Sequence, residues 1–117
     1  MTLTELINEY KKMAGNCYNI DYADKKAVQL NNQSVKRMYQ IINEIQAGFG
    51  NNGMIEFTKL LGISNNKVNL WAATHLLEKT QVDKKTEKIA LAIIAEEAKD
   101  SLGYQYWLKS YHDRKKQ

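Results

Sequence analysis

The chain has no proline, a single cysteine and no long apolar run. Without proline, no ring clashes with a preceding turn and no backbone N–H is missing, so helices can run uninterrupted. Cys17 on its own excludes an internal disulfide and a thiolate-rich zinc site. It reads as a small, half-buried residue at a helix end rather than as a nucleophile, which would want a neighbouring base. A membrane-spanning helix needs about 18 apolar residues or more, and no stretch approaches that length. The first residues also lack the basic-then-apolar order of a secretion signal, so a soluble, cytoplasmic protein is expected. Flexible Gly- or Ser-rich linkers are missing too, which leaves residues 1–117 as one expected domain.

What is present is a helical pattern. Leu3, Leu6, Ile7, Tyr10 and Met13 recur at helical spacing, with Thr2 or Thr4 as cap, and predict a first helix over Thr2 to Ala14. In Tyr18 to Lys26, Tyr18, Ile20 and Tyr22 alternate as in a strand, but a lone strand would have no partner. Helix entry at Asp21 or Asp24 is therefore expected. A long helix follows to about Ala47, carrying the apolar stripe Val35, Met38, Ile41, Ile42 and Ile45. Its polar stretch Asn31 to Ser34 is either a turn or a wet spot on one continuous helix, and one helix is the expectation.

Gly48-Phe-Gly-Asn-Asn-Gly53 reads as a loop, since glycine and asparagine tolerate positive φ. A short helix is predicted over Met54 to Leu61, with Met54, Phe57, Leu60 and Leu61 inward and Gly62 as a C-cap glycine. Ser64 is the expected N-cap of the central helix, Ser64 to Leu77. There Val68, Leu70, Trp71, Ala72, Ala73, Leu76 and Leu77 cover most of the circumference and predict the most buried helix of the chain. Asp83 is expected to cap a helix with Ile89, Ala90, Ala92, Ile93 and Ala95 inward, ending near Lys99. Asp100 or Ser101 then opens a last helix with Leu102, Tyr104, Trp107, Leu108 and Tyr111 on its apolar side. The predicted fold is all-α: five to six helices in antiparallel hairpins, arranged as a HEAT-like right-handed stack.

The formal net charge is +4. Six basic and five acidic side chains precede Met54, and eleven basic and eight acidic ones follow from there, so the excess lies in the second half. Part of it is a basic tail at about residues 113–117, expected to be solvated and frayed. With a pI near 9.1, the chain suits either nucleic acid or an acidic protein, and net charge does not choose between them.

The segment Asn66-Lys-Val-Asn-Leu-Trp-Ala-Ala-Thr-His-Leu-Leu77, the helix around Ile89 to Ala98, the closing Tyr104-Gln-Tyr-Trp-Leu108 and the long helix Asn31 to Ile45 resemble a small bacterial family of HEAT-like helical domains that has no assigned function. Similar short helical-repeat domains occur among immunity proteins, which neutralise the toxin domains that bacteria deliver to rivals. The resemblance implies a non-catalytic protein-binding module and names no site residue. Immunity proteins against basic nuclease toxins tend to be acidic. A basic chain would instead suit an acidic or neutral toxin, or would need a locally acidic binding face.

No constellation in the sequence points to catalysis or a cofactor. His75 and His112 lack the i, i+4 spacing of a metal pair, and Glu96 and Glu97 are adjacent and so diverge on a helix. His75 follows Trp71 by one turn and reads as a histidine packed on an aromatic, bonded to backbone or water. Gly48 to Gly53 spells G-x-G-x-x-G without the preceding strand that a nucleotide site needs. The predicted reading is that the protein is not an enzyme and needs neither metal nor cofactor. Tyr106 and Lys109 turn away from the apolar side of the last helix. With Lys99 and Arg114 they form the expected partner-binding surface, because aromatics and cations concentrate at protein hot spots. A nucleic-acid-binding domain is the alternative, resting on the pI and on Lys84, Lys85 and Lys88 at the start of a helix.

Overall fold

A computed structural model describes residues 1–115 and contains five α-helices, with no strand among the described residues. The helices are α1 (Leu3–Asn16), α2 (Lys25–Thr58), α3 (Val68–Lys79), α4 (Lys84–Ala98) and α5 (Leu102–Lys115), with two 3-10 turns, Lys59–Gly62 and Asn65–Lys67, between α2 and α3. Lys116 and Gln117, part of the expected basic tail, lie outside the described residues.

Three helix starts are written into single residues. The Thr2 hydroxyl accepts from the Glu5 N–H while the Glu5 carboxylate accepts from the Thr2 N–H, a reciprocal capping box. Asp24 caps α2 by accepting from the N–H groups of Lys26 and Ala27, and Asp83 caps α4 by accepting from Thr86. The long helix therefore begins at Lys25 rather than Asp21, after a turn over Cys17 to Asn19.

Side-chain pairs give the directions. Glu9 meets Arg37, Asn16 meets Ser34 and Cys17 meets the Asn31 carbonyl, so α1 and α2 run antiparallel. Lys67 reaches Glu97 across α3 and α4. Tyr111 donates to Glu87 while Gln105 donates to the Ala98 carbonyl, which makes α4 and α5 antiparallel as well. The polar stretch Asn31 to Ser34 is helical throughout, and its polarity has a purpose. Buried Ser34 accepts from the Asn16 carboxamide at 3.2 Å, tying the end of α1 to the middle of α2. Arg37 adds a two-pronged pair with Glu9 at 2.7 and 2.9 Å and reaches Glu44 at 3.0 Å. That geometry holds the Glu9 carboxyl below its ordinary range, the bond from Arg37 being the main cause.

The helix α3 divides two cores. Val68, Ala72 and Leu76 face Leu6, Tyr10, Met38, Ile41, Ile42, Ile45 and Phe57 of the first hairpin. Leu70 and Ala73 face Ala90 and Ile94 of α4, with Tyr104, Trp107 and Leu108 of α5 packed over them. Each of the paired alanines thus serves a different side, and the central role expected for this helix follows from its having no solvent-only face.

Several expectations are corrected. Gly48 to Gly53 is not an extended loop: two helical segments meet there across a kink at Gly50, whose φ of 56° and ψ of −142° are not helical. Gly53 is buried in the bend, where a Cβ would lie 2.6 Å from Phe49 Cβ and 2.8 Å from Ile45 Cγ2. One glycine supplies a backbone conformation and the other a close approach, so the residue types that suggested a loop build a kink. The expected short helix from Met54 corresponds to the segment of α2 beyond the kink, which ends at Thr58 rather than Leu61, and Gly62 is no left-handed C-cap, since Gly50 is the positive-φ glycine among the described residues. Ser64 makes no capping bond to α3, which starts instead from Asn66 and Lys67, both left-handed. In α4 the buried stripe is Ala90, Ile94 and Ala98, whereas Ile89, Ala92 and Ala95 are exposed. Leu102 is also exposed, unlike the rest of the expected α5 stripe. The tail is helical through Lys115, whose ammonium lies 3.3 Å from Glu87 and above the Tyr111 ring, so its described part is tied to α4.

Candidate functional site

On α3, Trp71, Thr74, His75 and Glu78 fall at i, i+3, i+4 and i+7 and share one stripe. Tyr39 of α2 stands on one side, its ring centroid 4.4 Å from that of His75. Tyr104 of α5 stands on the other, its phenol beside the Thr74 hydroxyl. Trp71 closes against His75 at 5.5 Å and, contrary to expectation, is only half-buried. The stripe is therefore a floor of partly exposed aromatic surface with a tyrosine wall from each hairpin.

Beneath the floor, the Tyr10 hydroxyl is 2.7 Å from His75 Nδ1, and Tyr10 packs edge-on against Phe57 at 4.8 Å. This partner lies 65 residues away, where backbone or water was expected. Burial is the main reason that the His75 pKa falls to about 4, with nearby Lys79 adding to the effect. The imidazole is accordingly neutral at physiological pH. Burial likewise pushes the Tyr10 phenol well up.

At the C-terminal end of the floor, Glu78 is accessible to solvent yet has its carboxyl raised, mainly by burial, against the lowering influence of Lys79 and Arg114. Both cations lie over rings instead of on the carboxylate: Lys79 Nζ is 5.0 Å from the Tyr39 centroid and the Arg114 guanidinium carbon 5.9 Å from that of Tyr111.

At the N-terminal end, Trp71 and exposed Tyr18 line a small cleft with Asn19, Asn66 and Lys67. Those last three are the positive-φ non-glycine residues among the described ones, at 54°, 51° and 58°. Left-handed backbone is costly for such residues, for lysine above all, and its concentration at one place marks a surface whose shape is held by the surrounding fold. Lys67 is fixed there by Glu97 at 2.7 Å.

Of the four residues expected to bind a partner, Arg114 alone reaches this face. Tyr106 is 63% exposed, and it and Lys109 lie on the outer side of α5. Lys99 pairs with Glu96 at the α4–α5 turn, about 20 Å along α5 from Arg114 at 1.5 Å per residue. The four do not form one patch. Missed from sequence were Tyr18, Tyr39 and Glu78. Tyr39 sits beside the apolar stripe of α2, and nothing in that helix alone says that α3 stops short of covering it.

Cys17 is half-buried at the end of α1, and burial pushes its thiol up, away from the thiolate form. Among the described residues, no three His, Cys, Asp or Glu side chains are arranged to hold a metal ion, and no helix is long and apolar enough to cross a membrane. Lys84, Lys85 and Lys88 are exposed on α4. In comparisons with known protein families, curated proteins and solved structures, the chain matches none.

Proposed function

We propose that the protein is a non-catalytic, cytoplasmic protein-binding module that captures a partner stoichiometrically on the Trp71 face of α3. The observation that carries this reading is the partly exposed aromatic stripe in which Trp71 packs on His75 and Tyr39 packs on the same imidazole, with Tyr18 and Lys67 beside Trp71 at one end and Arg114 near Glu78 at the other. Tryptophan, tyrosine and arginine dominate protein hot spots because they bury large area at small entropic cost. The Tyr10–His75 bond holds from below the imidazole on which Trp71 and Tyr39 pack, which reduces the ordering needed when a partner lands. On this reading the two antiparallel hairpins form a HEAT-like stack; the all-helical fold and the resemblance of the sequence to helical-repeat immunity proteins favour a toxin domain as partner, acidic or neutral given a net charge of +4.

Co-expression with the adjacent gene product, followed by pull-down and calorimetry, tests this. The expected result is a complex of fixed stoichiometry. Tyr18→Ala and Arg114→Ala should each weaken it at least tenfold, about 1.4 kcal/mol, without lowering Tm. Loss of binding in Tyr106→Ala alone would move the contact to the outer side of α5. The nucleic-acid reading draws on the same rings and cations, since bases stack on aromatic faces. Tight DNA or RNA binding that collapses with added salt, with no protein captured, would replace the proposal with that one.

A further inference from the structure

The kink in α2 opens a second feature. Between the bend at Gly50 and the α3–α4 connection lies a cleft of about 710 Å³, well inside the size range of ligand sites. Met54, Leu76 and Val82 give it an apolar floor, and Gln46, Asn51 and Gln81 stand around it. Among the described residues, these three carboxamides make no side-chain hydrogen bond, and they stay reachable by solvent. The Thr58 and Thr80 hydroxyls, by contrast, are spent on the carbonyls of Met54 and Leu76.

The lining selects among ligand classes by what it offers. No lysine or arginine lines it, so a phosphate would find no counter-charge. No aromatic ring lines it either, which removes the stacking platform for a nucleobase or for the apolar face of a sugar. Its one charged group, Asp83, already accepts from the Thr86 N–H as the cap of α4. Beside that capping carboxylate, which keeps its charge at one edge and disfavours an anionic ligand, stands a set of donor-and-acceptor amides above an apolar floor. A carboxamide presents one N–H and one C=O side by side, as a peptide unit does, and can bond to both polar groups of an extended backbone.

We propose that this cleft binds a short, extended, uncharged stretch of polypeptide, its backbone bonded to Gln46, Asn51 and Gln81 and one apolar side chain seated on Met54, Leu76 and Val82. This inference rests on the protein-binding reading in making the occupant part of a partner protein. It adds a second contact, set by α2, to the aromatic one on α3. Backbone bonding gives such a site affinity and the apolar seat gives it selectivity.

The test needs no partner. N-acetyl-leucine N-methylamide is titrated into the ¹⁵N-labelled protein while the side-chain NH₂ signals are followed. The expected result is saturable movement of the Gln46, Asn51 and Gln81 signals in the millimolar range. Gln105, whose NH₂ is bonded to the Ala98 carbonyl, should stay still. N-acetyl-glycine N-methylamide should bind at least threefold more weakly for want of the apolar side chain. Asn51→Ala, at an exposed position, should weaken leucine-probe binding at least threefold with Tm unchanged. No saturable movement, or equal movement with methyl glucoside or adenosine monophosphate, would overturn the assignment. Either result leaves capture at the Trp71 face to be judged by its own pull-down, so the two proposals fail separately.

Discussion

Three alanine substitutions within six residues separate a kinked helix from a loop. At Gly48 a Cβ would meet nothing within 4 Å, and its φ is not positive, so Gly48→Ala should stabilise by about 0.5–1 kcal/mol through helix propensity. At Gly50 the backbone, φ 56° and ψ −142°, is the mirror image of an extended conformation that side-chain-bearing residues avoid. Gly50→Ala should cost about 1–3 kcal/mol, as strained backbone does. At Gly53 the new methyl would sit 2.6 Å from Phe49 Cβ and 2.8 Å from Ile45 Cγ2, far inside contact distance. Both neighbours are close to the backbone of the same helix and cannot swing away. Overpacking of about 1–3 kcal/mol therefore outweighs a propensity gain of at most about 1, leaving Gly53→Ala destabilised by about 1–2 kcal/mol. Urea unfolding reads these differences directly, and Tm should move by roughly 3–5 °C per kcal/mol for a chain of this size. A loop predicts another pattern, in which Gly48→Ala and Gly53→Ala behave alike and near neutral. That outcome would refute both the kink and the cleft it shapes.

Further outcomes follow from the α3 face and from the α1–α2 hairpin. Stability should fall as pH drops from about 6.5 to about 4, because the unfolded chain takes up a proton at His75 that the folded chain refuses. The loss is at most roughly 3 kcal/mol, and His75→Phe should flatten that part of a urea-midpoint profile measured against pH. Tyr10→Phe strips His75 Nδ1 of its partner and should cost about 1–3 kcal/mol in chemical unfolding, with the chain still folded. Trp71→Ala should cost about 2 kcal/mol rather than the 3–5 of a fully buried ring, and a larger loss would show that the floor is closed to partners. Arg37→Ala should cost about 1 kcal/mol, since the pair with Glu9 is two-pronged but still partly exposed, and 1 M salt should shrink the difference.

Local residue pattern carried the all-helical order, the Asp83 cap, the caps Thr2 and Asp24 as one of two candidates each, and the central place of α3. Apolar spacing, the hydroxyl of Thr2, the carboxylate of Asp83 and the paired Ala72 and Ala73 act within one or two turns, so neighbouring residues carry the whole signal. The same holds for Asn31 to Ser34, where polar side chains were not enough to stop a proline-free helix. The tertiary structure alone decided which of two apolar stripes on α4 is buried, because Ile89 and Ile94 are equally hydrophobic and only α3 distinguishes them. It turned a glycine-rich stretch from loop to kink, since whether positive φ ends a helix or bends it depends on what packs inside the bend, here Ile45 and Phe49. It gave His75 a hydroxyl from Tyr10 on another helix and left Trp71 half in solvent against the same imidazole that Tyr39 packs on. Those features depend on how far apart two hairpins stand on either side of α3, a distance that no single helix encodes and that fixes which rings remain open to a partner.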